Sequence, residues 1–600
     1  MPIYRAPVDE VMFLLTDVLQ VARYDNLPGF ADATPDLAVA ILGEAAKLCE
    51  EVIQPLNRGG DQEGCTRRDD GSVATPRGFK QAYRQYADGG WVGLSAPPEY
   101  GGQGLPGLLT VAINEFMTGA NMAFAMYPGL SQGALATILS HGTTEQKARY
   151  LPKMVEGRWT GTMNLTEAHC GTDLGLLRTK AVKQADGSYR ITGTKIFISA
   201  GEHDLAENIV HLVLARIEGA PAGIRGISMF IVPKLLPDAD GAPGARNAVT
   251  CGAVEEKMGI HGNATCVMNY DGATGWLIGA ENRGINAMFT MMNAARLGVG
   301  VQGLALSEVA YQNAAAYAKD RLQGRAPTSA KFPERPADPL LVHPDVRRML
   351  LTMRAFNEAA RALVLWTALQ EDVAQRAPEE ASRQAAEDHM ALLTPVIKAM
   401  LTDRGFANTV LAQQIYGGHG YIAEHGMEQL VRDARIAMLY EGANGIQALD
   451  LVGRKLAQDD GRALKAFMAE MQHYIAAHGA VPMKPYVDPL ATALSHLHEA
   501  TIWLMRNAQT APDNAAPDNA AAGATDYLHL MGLVVLGYMW CRIVEAAQAR
   551  LAADGTAARM RDKLVTGRFF VERMLPETAV HLARIRLGAE NVMELPADAF

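Results

Sequence analysis

Cysteine is scarce in this 600-residue chain, which has six, and no two of them form a Cys-x-x-Cys pair. Disulfide and zinc-binding frameworks need paired cysteines, so both are disfavoured and we expect no metal site. Reduced thiols in a cytoplasmic compartment fit this usage best. The opening residues have neither a basic segment before an apolar run nor an Arg- and Ser-rich amphipathic start. We therefore expect no export signal and no mitochondrial presequence.

Positive charge is also in deficit, because the formal net charge is -10. Affinity for nucleic acid depends on clustered Lys and Arg, and no basic stripe is visible, so we expect no nucleic-acid partner. Long apolar runs are lacking as well. The most apolar one, Leu528 to Cys541, is too short to span a bilayer as a helix. It is predicted to be a buried core helix, and no membrane partner is expected.

The chain is long, and 49% of its residues are hydrophobic, so it can bury several cores. Residues 1–158 are predicted to form an N-terminal helical domain, with Asp36 to Val52 at helical spacing and Trp91 to Gly107 as a loop. Residues 159–285 hold short β-branched runs between turn signals, which is typical of a small antiparallel barrel or sandwich. The strand candidates are Tyr189 to Ser199, Ile209 to Ile217 and Ile227 to Val232.

Helical periodicity returns from Asn286. Four long helices in succession over residues 286–456 predict an antiparallel bundle. Thr394-Pro395 either begins a new helix or kinks a longer one. Residues 457–600 are predicted to be a helical extension. Within it, Ala511-Pro-Asp-Asn-Ala is repeated at once from Ala516, and this low-complexity stretch is predicted to be a mobile loop.

The segment Asn164 to Gly175 is the first candidate for chemistry. Gly171 and Gly175 permit close backbone approach, and Thr166 and Thr172 supply hydroxyls, which suits a flat cofactor or a phosphate. From the residues alone, an ordinary polar connection between helix and strand is the better-supported alternative.

Two further candidates lie at predicted helix ends. Gln413 to Tyr421 holds three glycines in four residues, which either bring backbone amides to a ligand or simply end the helix. Lys319 to Arg325 holds arginines whose planar forks suit a phosphate. The alternative is a pair of cations facing the helix dipole.

Glu441 is the fourth candidate. It lies between the apolar run Ile436 to Leu439 and a predicted helix start, with glycines close by. A carboxylate after an apolar run can be partly desolvated and act as a stronger base. With 65 acidic residues in the chain, a solvated turn is the default for any single one.

Taken together and in this order, five segments resemble motifs of the acyl-CoA dehydrogenase family over roughly residues 30 to 456. They are the flavin loop Thr166-Glu-Ala-His-Cys-Gly-Thr-Asp173, the strand Gly193-Thr-Lys-Ile-Phe-Ile-Ser199 that packs on the isoalloxazine, the turn Lys257-Met-Gly-Ile-His-Gly262, the segment Gln414-Ile-Tyr-Gly-Gly-His-Gly420 and Tyr440-Glu-Gly442, which carries the base. The length, the opening residues and Gly445 to Lys455 resemble a long subgroup. That subgroup includes 3-methylmercaptopropionyl-CoA dehydrogenases and straight-chain fatty acyl-CoA dehydrogenases.

The resemblance implies a helical domain, a middle antiparallel β-barrel, a four-helix bundle and a helical extension. It implies FAD, an acyl-CoA substrate, electron-transferring flavoprotein as partner, and a homo-oligomer, either dimer or tetramer. It assigns FAD contacts to Leu165, Thr166, Gly171, Thr172, Phe197 and Ser199, and to Arg321, Gln414 and Gly418 at a cofactor shared with a neighbouring subunit. It assigns substrate contacts to Thr172, Asn293, Arg296 and Gly442.

The resemblance also implies the chemistry, which is α,β-desaturation of a thioester with Glu441 taking the α-proton. Developing enolate charge needs hydrogen bonds to the thioester oxygen, and the family supplies them from the backbone N–H of the base and a ribityl hydroxyl. Three departures stand out: Ala443 replaces a usual Thr, Ala168 a usual Pro and His419 a usual Asn. Two alternatives remain, namely an acyl-CoA oxidase that uses O2 and a flavoprotein of this fold without dehydrogenation.

Overall fold

The computed structural model describes residues 2–238, 240–510, 516–554 and 558–600. The chain divides into two compact units. The mixed unit is Ala40–Gly298, and the helical unit combines Met1–Val39 with Val299–Phe600. The chain thus leaves the helical unit after its first residues and returns to it for the second half.

The first part of the chain is helical, as predicted. The predicted helical stretch Asp36 to Val52 is α-helical up to Lys47 and continues directly as a π-helical turn, Leu48–Ile53. The predicted loop Trp91 to Gly107 holds only a 3₁₀ turn, Pro98–Tyr100, before the next helix begins at Gly107. The helices are α1 (Val8–Phe13), α2 (Pro35–Lys47), α3 (Leu56–Glu63), α4 (Phe79–Asp88), α5 (Gly107–His141) and α6 (Thr144–Val155).

Three of the eleven strands described in the mixed unit match the three predicted runs closely. Alternating burial along Tyr189–Ser199 confirms that strand, and the other two predicted runs are strands as well. The strands are β1 (Thr66–Arg67), β2 (Val73–Ala74), β3 (Trp159–Asn164), β4 (Lys180–Lys183), β5 (Tyr189–Ser199), β6 (Asn208–Ile217), β7 (Ile227–Pro233), β8 (Leu235–Pro237), β9 (Pro243–Arg246), β10 (Val249–Val254) and β11 (Thr265–Ile278).

Seven strands form one sheet in the order β10-β11-β5-β4-β6-β3, and β7 pairs with both β11 and β6. The pairings β11-β5-β4-β6-β7-β11 therefore run in a closed circuit. The prediction of a wholly antiparallel arrangement is wrong, because β6 pairs in parallel with β3 and with β4. The connection between β3 and β4 is long enough for both strands to run parallel to β6.

The second half of the chain begins with long helices, but the predicted four long helices in succession are not present. Three long helices are followed by shorter ones, and the helix after Ala443 spans only Asn444–Asp450 before a π-helical turn. Pro395 lies inside one long helix, with the Thr394 hydroxyl donating to Met390 O at 2.6 Å. The helices are α7 (Gly284–Asp320), α8 (Pro344–Arg376), α9 (Glu380–Tyr416), α10 (Gly418–Tyr421), α11 (Met427–Arg435) and α12 (Asn444–Asp450).

The extension is helical, as predicted, and packs onto the helices before it. Leu528 to Cys541 lies in α15, where Trp540 is fully buried and donates to Ala355 O of α8 at 2.9 Å. This helix is long and apolar enough to cross a bilayer, but 89% of its most apolar window is buried within the protein, as in a core helix. The helices are α13 (Arg462–Ala477), α14 (Lys484–Thr510), α15 (Ala516–Ala553), α16 (Ala558–Arg573), α17 (Glu577–Ile585) and α18 (Glu590–Met593).

The tandem pentapeptide is not a loop throughout. Its first copy lies outside the described residues, whereas the second copy forms the first turns of α15. Asn519 in that copy accepts a hydrogen bond from the Ala589 N–H at 2.9 Å, which ties the helix start to the end of the chain. Low-complexity composition misled the prediction here because Asn and Asp are also common in the first turns of helices.

Two features of the helical unit hold distant parts of the chain together. Lys563 of α16 is 1% exposed and pairs with Glu10 of α1 and with Glu358 of α8. Gly303 of α7 faces Gly405 of α9 so closely that a Cβ at either glycine would lie 2.3 Å from backbone of the opposite helix. This approach brings α7 and α9 together beneath the segment that carries Glu441.

Candidate active site

The segment Thr166 to Gly175 begins with a tight turn fastened to the sheet of the mixed unit. Glu167 and Cys170 exchange two backbone hydrogen bonds, at 2.9 and 3.0 Å. The Ile196 N–H of β5 donates to Thr166 O at 2.9 Å, so the turn lies against that strand. Its placement is thus fixed by backbone bonds rather than by side chains that could bind a ligand.

A buried ion pair supports this turn from beneath. Lys195 of β5 is 0% exposed, and its Nζ lies 2.9 Å from Glu167 Oε1 and from Leu165 O. Thr179 and the Arg178 N–H also donate to the same carboxylate, at 2.6 to 3.0 Å. Burial raises the pKa of the Glu167 carboxyl, but Lys195 and these hydrogen bonds outweigh it and lower the pKa to about 2. Glu167 is therefore a structural carboxylate.

Lys195 was not identified as a functional or structural residue from the sequence, although a signal was present. It lies in the same alternation phase as Tyr189 and Ile191, whose side chains are buried. A lysine in the inward phase of a strand needs a buried partner, since an isolated buried charge is very costly. Burial lowers the pKa of Lys195 to about 8 despite the opposing effect of Glu167.

The outer side of this turn is open to solvent. Gly171 and Thr172 are exposed, Thr166 and Ser199 are half-buried, and Leu165 is buried. Phe197 is 61% exposed and has a φ of 58°, next to a register shift between β5 and β11. An exposed aromatic ring held in left-handed backbone conformation is unfavourable unless something covers it. Among the predicted FAD contacts of this unit, Leu165 is thus buried, and the other five are at least partly exposed.

Glu167, His169 and Cys170 also place potential metal-ligand atoms within 4.8 Å of one another, a grouping that the sequence did not suggest. The ammonium of Lys195 already lies 2.9 Å from Glu167, and a fixed positive charge so close opposes a cation. His169 Nε2 is 3.0 Å from Leu176 O. These contacts give Glu167 and His169 structural partners within the protein.

The two predicted substrate contacts of the mixed unit lie on α7. Asn293 is exposed, whereas Arg296, three residues later and almost one turn on, is 8% exposed. Met288, Met291 and Met292 of the same helix are buried in the core cluster that includes Trp159 and Met229. Those methionines therefore serve as core.

In the helical unit, the ends of α7 and α9 meet in an aromatic cluster. Tyr317 stacks on Tyr416 with ring centroids 4.0 Å apart, and its hydroxyl lies 2.9 Å from His419 Nδ1. Arg321 is one turn beyond Tyr317. Gln414 precedes Tyr416 by two residues, and Gly418 precedes His419. The structure therefore brings these three predicted cofactor contacts to one end of the unit, where all three are exposed.

The two arginines near the end of α7 have different surroundings. Arg325 donates to Phe332 O and Arg335 O and lies 3.5 Å from Asp338, so it is used within its own loop. Within residues 2–238, 240–510, 516–554 and 558–600, no side chain forms a hydrogen bond or ion pair with the Arg321 guanidinium. Arg321 is thus the one of this pair available to an external anion.

Glu441 is half-buried on a short connection between α11 and α12. Tyr440 donates its hydroxyl to Gln302 of α7, and burial raises the pKa of that phenol far above its usual range. Gly442 has a φ of 65°, which glycine adopts without strain, and its carbonyl accepts from Gln447 Nε2 at 2.9 Å. Neighbouring side chains therefore fix the backbone on both sides of Glu441.

Asn444, at the start of α12, is a further anchor that sequence reasoning missed. Its Nδ2 reaches Asp403 Oδ1 at 2.7 Å, Thr402 Oγ1 at 2.9 Å and Ala399 O at 3.1 Å, all on α9. Its Oδ1 accepts from the buried Lys398 at 2.9 Å. Partners so distant along the chain leave no local signal in the sequence.

Family models match four successive stretches of the chain. They are described as "Acyl-CoA dehydrogenase, N-terminal domain" at residues 38–158, "middle domain" at 162–273, "C-terminal domain" at 282–457, and "Acetyl-CoA dehydrogenase C-terminal like" at 467–596. The extension thus matches a model of its own.

Two curated relatives are similar over nearly the whole chain. A 3-methylmercaptopropionyl-CoA dehydrogenase of Ruegeria pomeroyi is 42% identical over 98% of this chain and 99% of its own. A broad-specificity linear acyl-CoA dehydrogenase of Mycobacterium tuberculosis is 34% identical over 100% of both chains. Among solved structures, an acyl-CoA dehydrogenase complexed with FAD from Bacillus anthracis has a TM-score of 0.75 at 22% identity, covering 93% of this chain and 89% of its own.

Proposed function

The chain belongs to the acyl-CoA dehydrogenase family of oxidoreductases, and we propose that it is a flavoenzyme that desaturates an acyl-CoA thioester at Cα–Cβ with Glu441 as the base. The observation that carries the proposal is the position of Glu441 on a connection whose neighbours bear the structural load. Tyr440, Gly442 and Asn444 hold the backbone on both sides of the half-buried Glu441.

FAD is the cofactor of this family, and two exposed surfaces of the chain suit it. In the mixed unit, Phe197 offers a flat aromatic face beside the hydroxyls of Thr166, Thr172 and Ser199. In the helical unit, the Arg321 guanidinium and the backbone near Gly418 suit a pyrophosphate, and Gln414 adds an amide. Bound FAD supplies the acceptor for the substrate's β-hydride.

The chain's own residues then handle the α-proton. Glu441 removes it, and the N–H of the same residue donates a hydrogen bond to the thioester oxygen, where negative charge develops. A fixed backbone matters here, since both groups must keep their places relative to one substrate. Asn293, Arg296, Thr172 and Gly442 are proposed to contact the acyl-CoA.

The acyl group is proposed to be 3-methylmercaptopropionyl or a linear fatty acyl chain. The first is supported by 42% identity over 98% of the chain to a relative named for that substrate, and the second by 34% identity to a relative named for linear acyl-CoA. The two are chemically close, because a thioether sulfur and a methylene group have similar size and polarity.

Electron-transferring flavoprotein is the proposed acceptor, rather than O2. The chain is similar to a solved structure described as the electron-transferring flavoprotein of Acidaminococcus fermentans, with 26% identity and a TM-score of 0.58. The match covers 70% of this chain and 98% of that one, and it supports a link to such a partner. We also propose a homo-oligomer, because exposed Arg321 is assigned to a cofactor shared with a second copy. A cytoplasmic location is proposed, since all six cysteines are free thiols and five are buried.

The decisive experiment is anaerobic mixing of purified enzyme with a panel of acyl-CoA thioesters, including 3-methylmercaptopropionyl-CoA and butyryl-CoA. We expect yellow protein whose flavin bleaches with at least one of them. In air, turnover should need electron-transferring flavoprotein or a dye. Stoichiometric hydrogen peroxide without an added acceptor would mean an oxidase, and a folded chain that takes up no FAD would contradict the whole proposal.

A further inference from the structure

We infer that Asn444 is a positioning residue for Glu441 and that His529 of the C-terminal extension is the outer end of the hydrogen-bond chain that holds it. This inference rests on the proposed role of Glu441 as the base. It gives the extension a part in the reaction, through a contact that does not involve substrate or cofactor.

The chain of contacts is continuous and lies within the helical unit. His529 Nε2 of α15 is 3.0 Å from Asp403 Oδ2 of α9, and Asp403 Oδ1 accepts from Asn444 Nδ2 at 2.7 Å. Asn444 is three residues beyond Glu441. One carboxylate therefore links the extension to the helix start that follows the base.

Close packing makes this reach possible. A Cβ at Gly532 of α15 would lie 1.8 Å from Met400 Sδ of α9, so these two helices touch one turn beyond His529. His529 and Asp403 are 15% and 24% exposed, and Lys398 is fully buried. The shielded setting strengthens these hydrogen bonds and makes an unpaired member costly.

The chemistry at Asn444 requires an amide of this length. Its oxygen faces the Lys398 ammonium, whereas its NH₂ group faces three acceptors, which are a carbonyl, a hydroxyl and a carboxylate. A carboxylate at position 444 would lie against Asp403, and an apolar side chain would remove one hydrogen bond from Lys398 and one from Asp403. The amide donates and accepts in fixed directions, which sets the rotation of the α12 start and hence of Glu441.

The other side of Glu441 is held independently. Tyr440 binds Gln302 of α7, and α7 is locked to α9 by the Gly303–Gly405 approach. Loosening Asn444 alone therefore leaves the connection attached at Tyr440 and removes one anchor at its far end. The expected result is a misplaced base in a folded enzyme.

The test compares Asn444→Ala, His529→Ala and His529→Gln by anaerobic stopped-flow flavin reduction with butyryl-CoA and with its 2,2-dideuterated form. Misplacement of a base by about 1 Å lowers a rate by ~10²-fold, which we expect for Asn444→Ala. Loss of one outer hydrogen bond, worth ~1 kcal/mol, predicts about a fivefold decrease for His529→Ala. In both variants the α-deuterium isotope effect should rise, and His529→Gln should recover most of the rate.

A matched control is His496→Ala. His496 also belongs to the extension and contacts one hydroxyl, that of Thr578, at 3.0 Å, but it does not lead to Asn444. Amide hydrogen exchange supplies a readout independent of turnover. In His529→Ala, exchange should accelerate in the peptide 440–447 and stay unchanged in 417–426, whereas His496→Ala should change neither.

Three outcomes would overturn the inference: equal rates for His529→Ala and His496→Ala, an unchanged isotope effect, or unchanged exchange in 440–447. If Asn444→Ala does not fold, the two His529 variants carry the test. Failure of the proposed function is a separate result, since it would appear as normal flavin reduction by Glu441→Gln whatever the His529 variants do.

Discussion

Two glutamates, Glu167 and Glu441, lie in segments predicted to meet FAD and substrate, yet their surroundings are opposite. Glu167 is buried, paired with Lys195 and bonded to Thr179 and two backbone N–H groups. Glu441 is half-buried, and its segment is held by Tyr440, Gln447 and Asn444. Glu167 is thus fixed by direct bonds to its carboxylate, whereas the backbone of Glu441 is fixed by bonds made at Tyr440, Gly442 and Asn444.

Removing the extension should have the largest effect, because its helices form part of the core of the helical unit. That unit carries Glu441, whereas Glu167 lies in the mixed unit. Ending the chain near Ala457 removes Trp540 and Lys563 from the core and exposes the apolar faces of α8 and α9. We expect insoluble protein, measured as soluble yield and by size-exclusion chromatography. A chain lacking only the exposed residues 594–600 is the control, and a soluble, active enzyme ending near Ala457 would contradict this expectation.

Glu441→Gln tests the reactive side of the comparison. The substitution keeps size and hydrogen bonding but removes the base, so flavin reduction by substrate should fall by ~10²–10⁴-fold or more. Melting temperature and FAD content should stay near those of the parent protein, because Tyr440, Gly442 and Asn444 still hold the backbone. Stopped-flow bleaching, thermal melting and the flavin-to-protein ratio separate the possibilities. Near-normal bleaching would place the base elsewhere.

Glu167→Gln tests the structural side. It leaves Lys195 buried without its counter-charge, and breaking a buried pair in this way costs about 3–5 kcal/mol. The expected result is a lower melting temperature and weaker flavin retention, together with near-normal bleaching in the fraction that still holds FAD. The double variant Glu167→Gln with Lys195→Met should recover part of the stability, since no charge then remains unpaired. A stable Glu167→Gln enzyme that binds FAD but does not bleach would reverse the roles of the two glutamates.

Acid should weaken the support that Glu167 gives to the fold. The folded pKa of Glu167, lowered to about 2, is below its usual value near 4.5. Its contribution to stability is therefore complete above about pH 4.5 and is lost as the pH falls toward 2. Melting temperature measured from pH 6 downward should decline in this window, and the decline should be shallower in the double variant. Equal slopes would mean that other carboxylates dominate.

Arg321→Ala should have the smallest of these effects. Removing one charge-assisted hydrogen bond to a pyrophosphate costs about 1.5–3 kcal/mol, or roughly 10- to 150-fold in FAD affinity. Stability without FAD should not change, because Arg321 is exposed. Arg325→Ala is the contrasting control, since it should loosen its own loop and leave FAD affinity alone. Equal FAD loss in both variants would show that the effect belongs to the loop.

Much of the fold follows from local pattern, and the exceptions have physical reasons. Alternation along Tyr189–Ser199 predicted that strand, and an apolar run predicted the buried helix at Leu528 to Cys541. The parallel pairing of β3 with β6 was not predicted, because the two strands are distant in sequence and no local pattern identifies a strand's partner. The loop predicted at Asn519 was wrong for a similar reason, since its partner is Ala589.

The candidate site divides in the same way. Motifs that resemble those of a family pointed to Glu441, Arg321 and Phe197. In the structure, Phe197 is exposed and has a left-handed backbone conformation. Arg321 has no side-chain partner in the described part of the chain. The supporting residues Gln302 and His529 carry no motif. Their roles arise only when distant helices pack together, so they could not be predicted from neighbouring residues.

The pairing of Lys563 with Glu10 also bears on how the protein is made. The mixed unit is complete once residue 298 has emerged from the ribosome, and it can fold while synthesis continues. The ion pair between Glu10 and Lys563 cannot form until residue 563 follows. During that interval the amino-terminal segment lacks the anchor that Lys563 provides. A chain that stalls late in translation would leave this segment more open to chaperones and proteases.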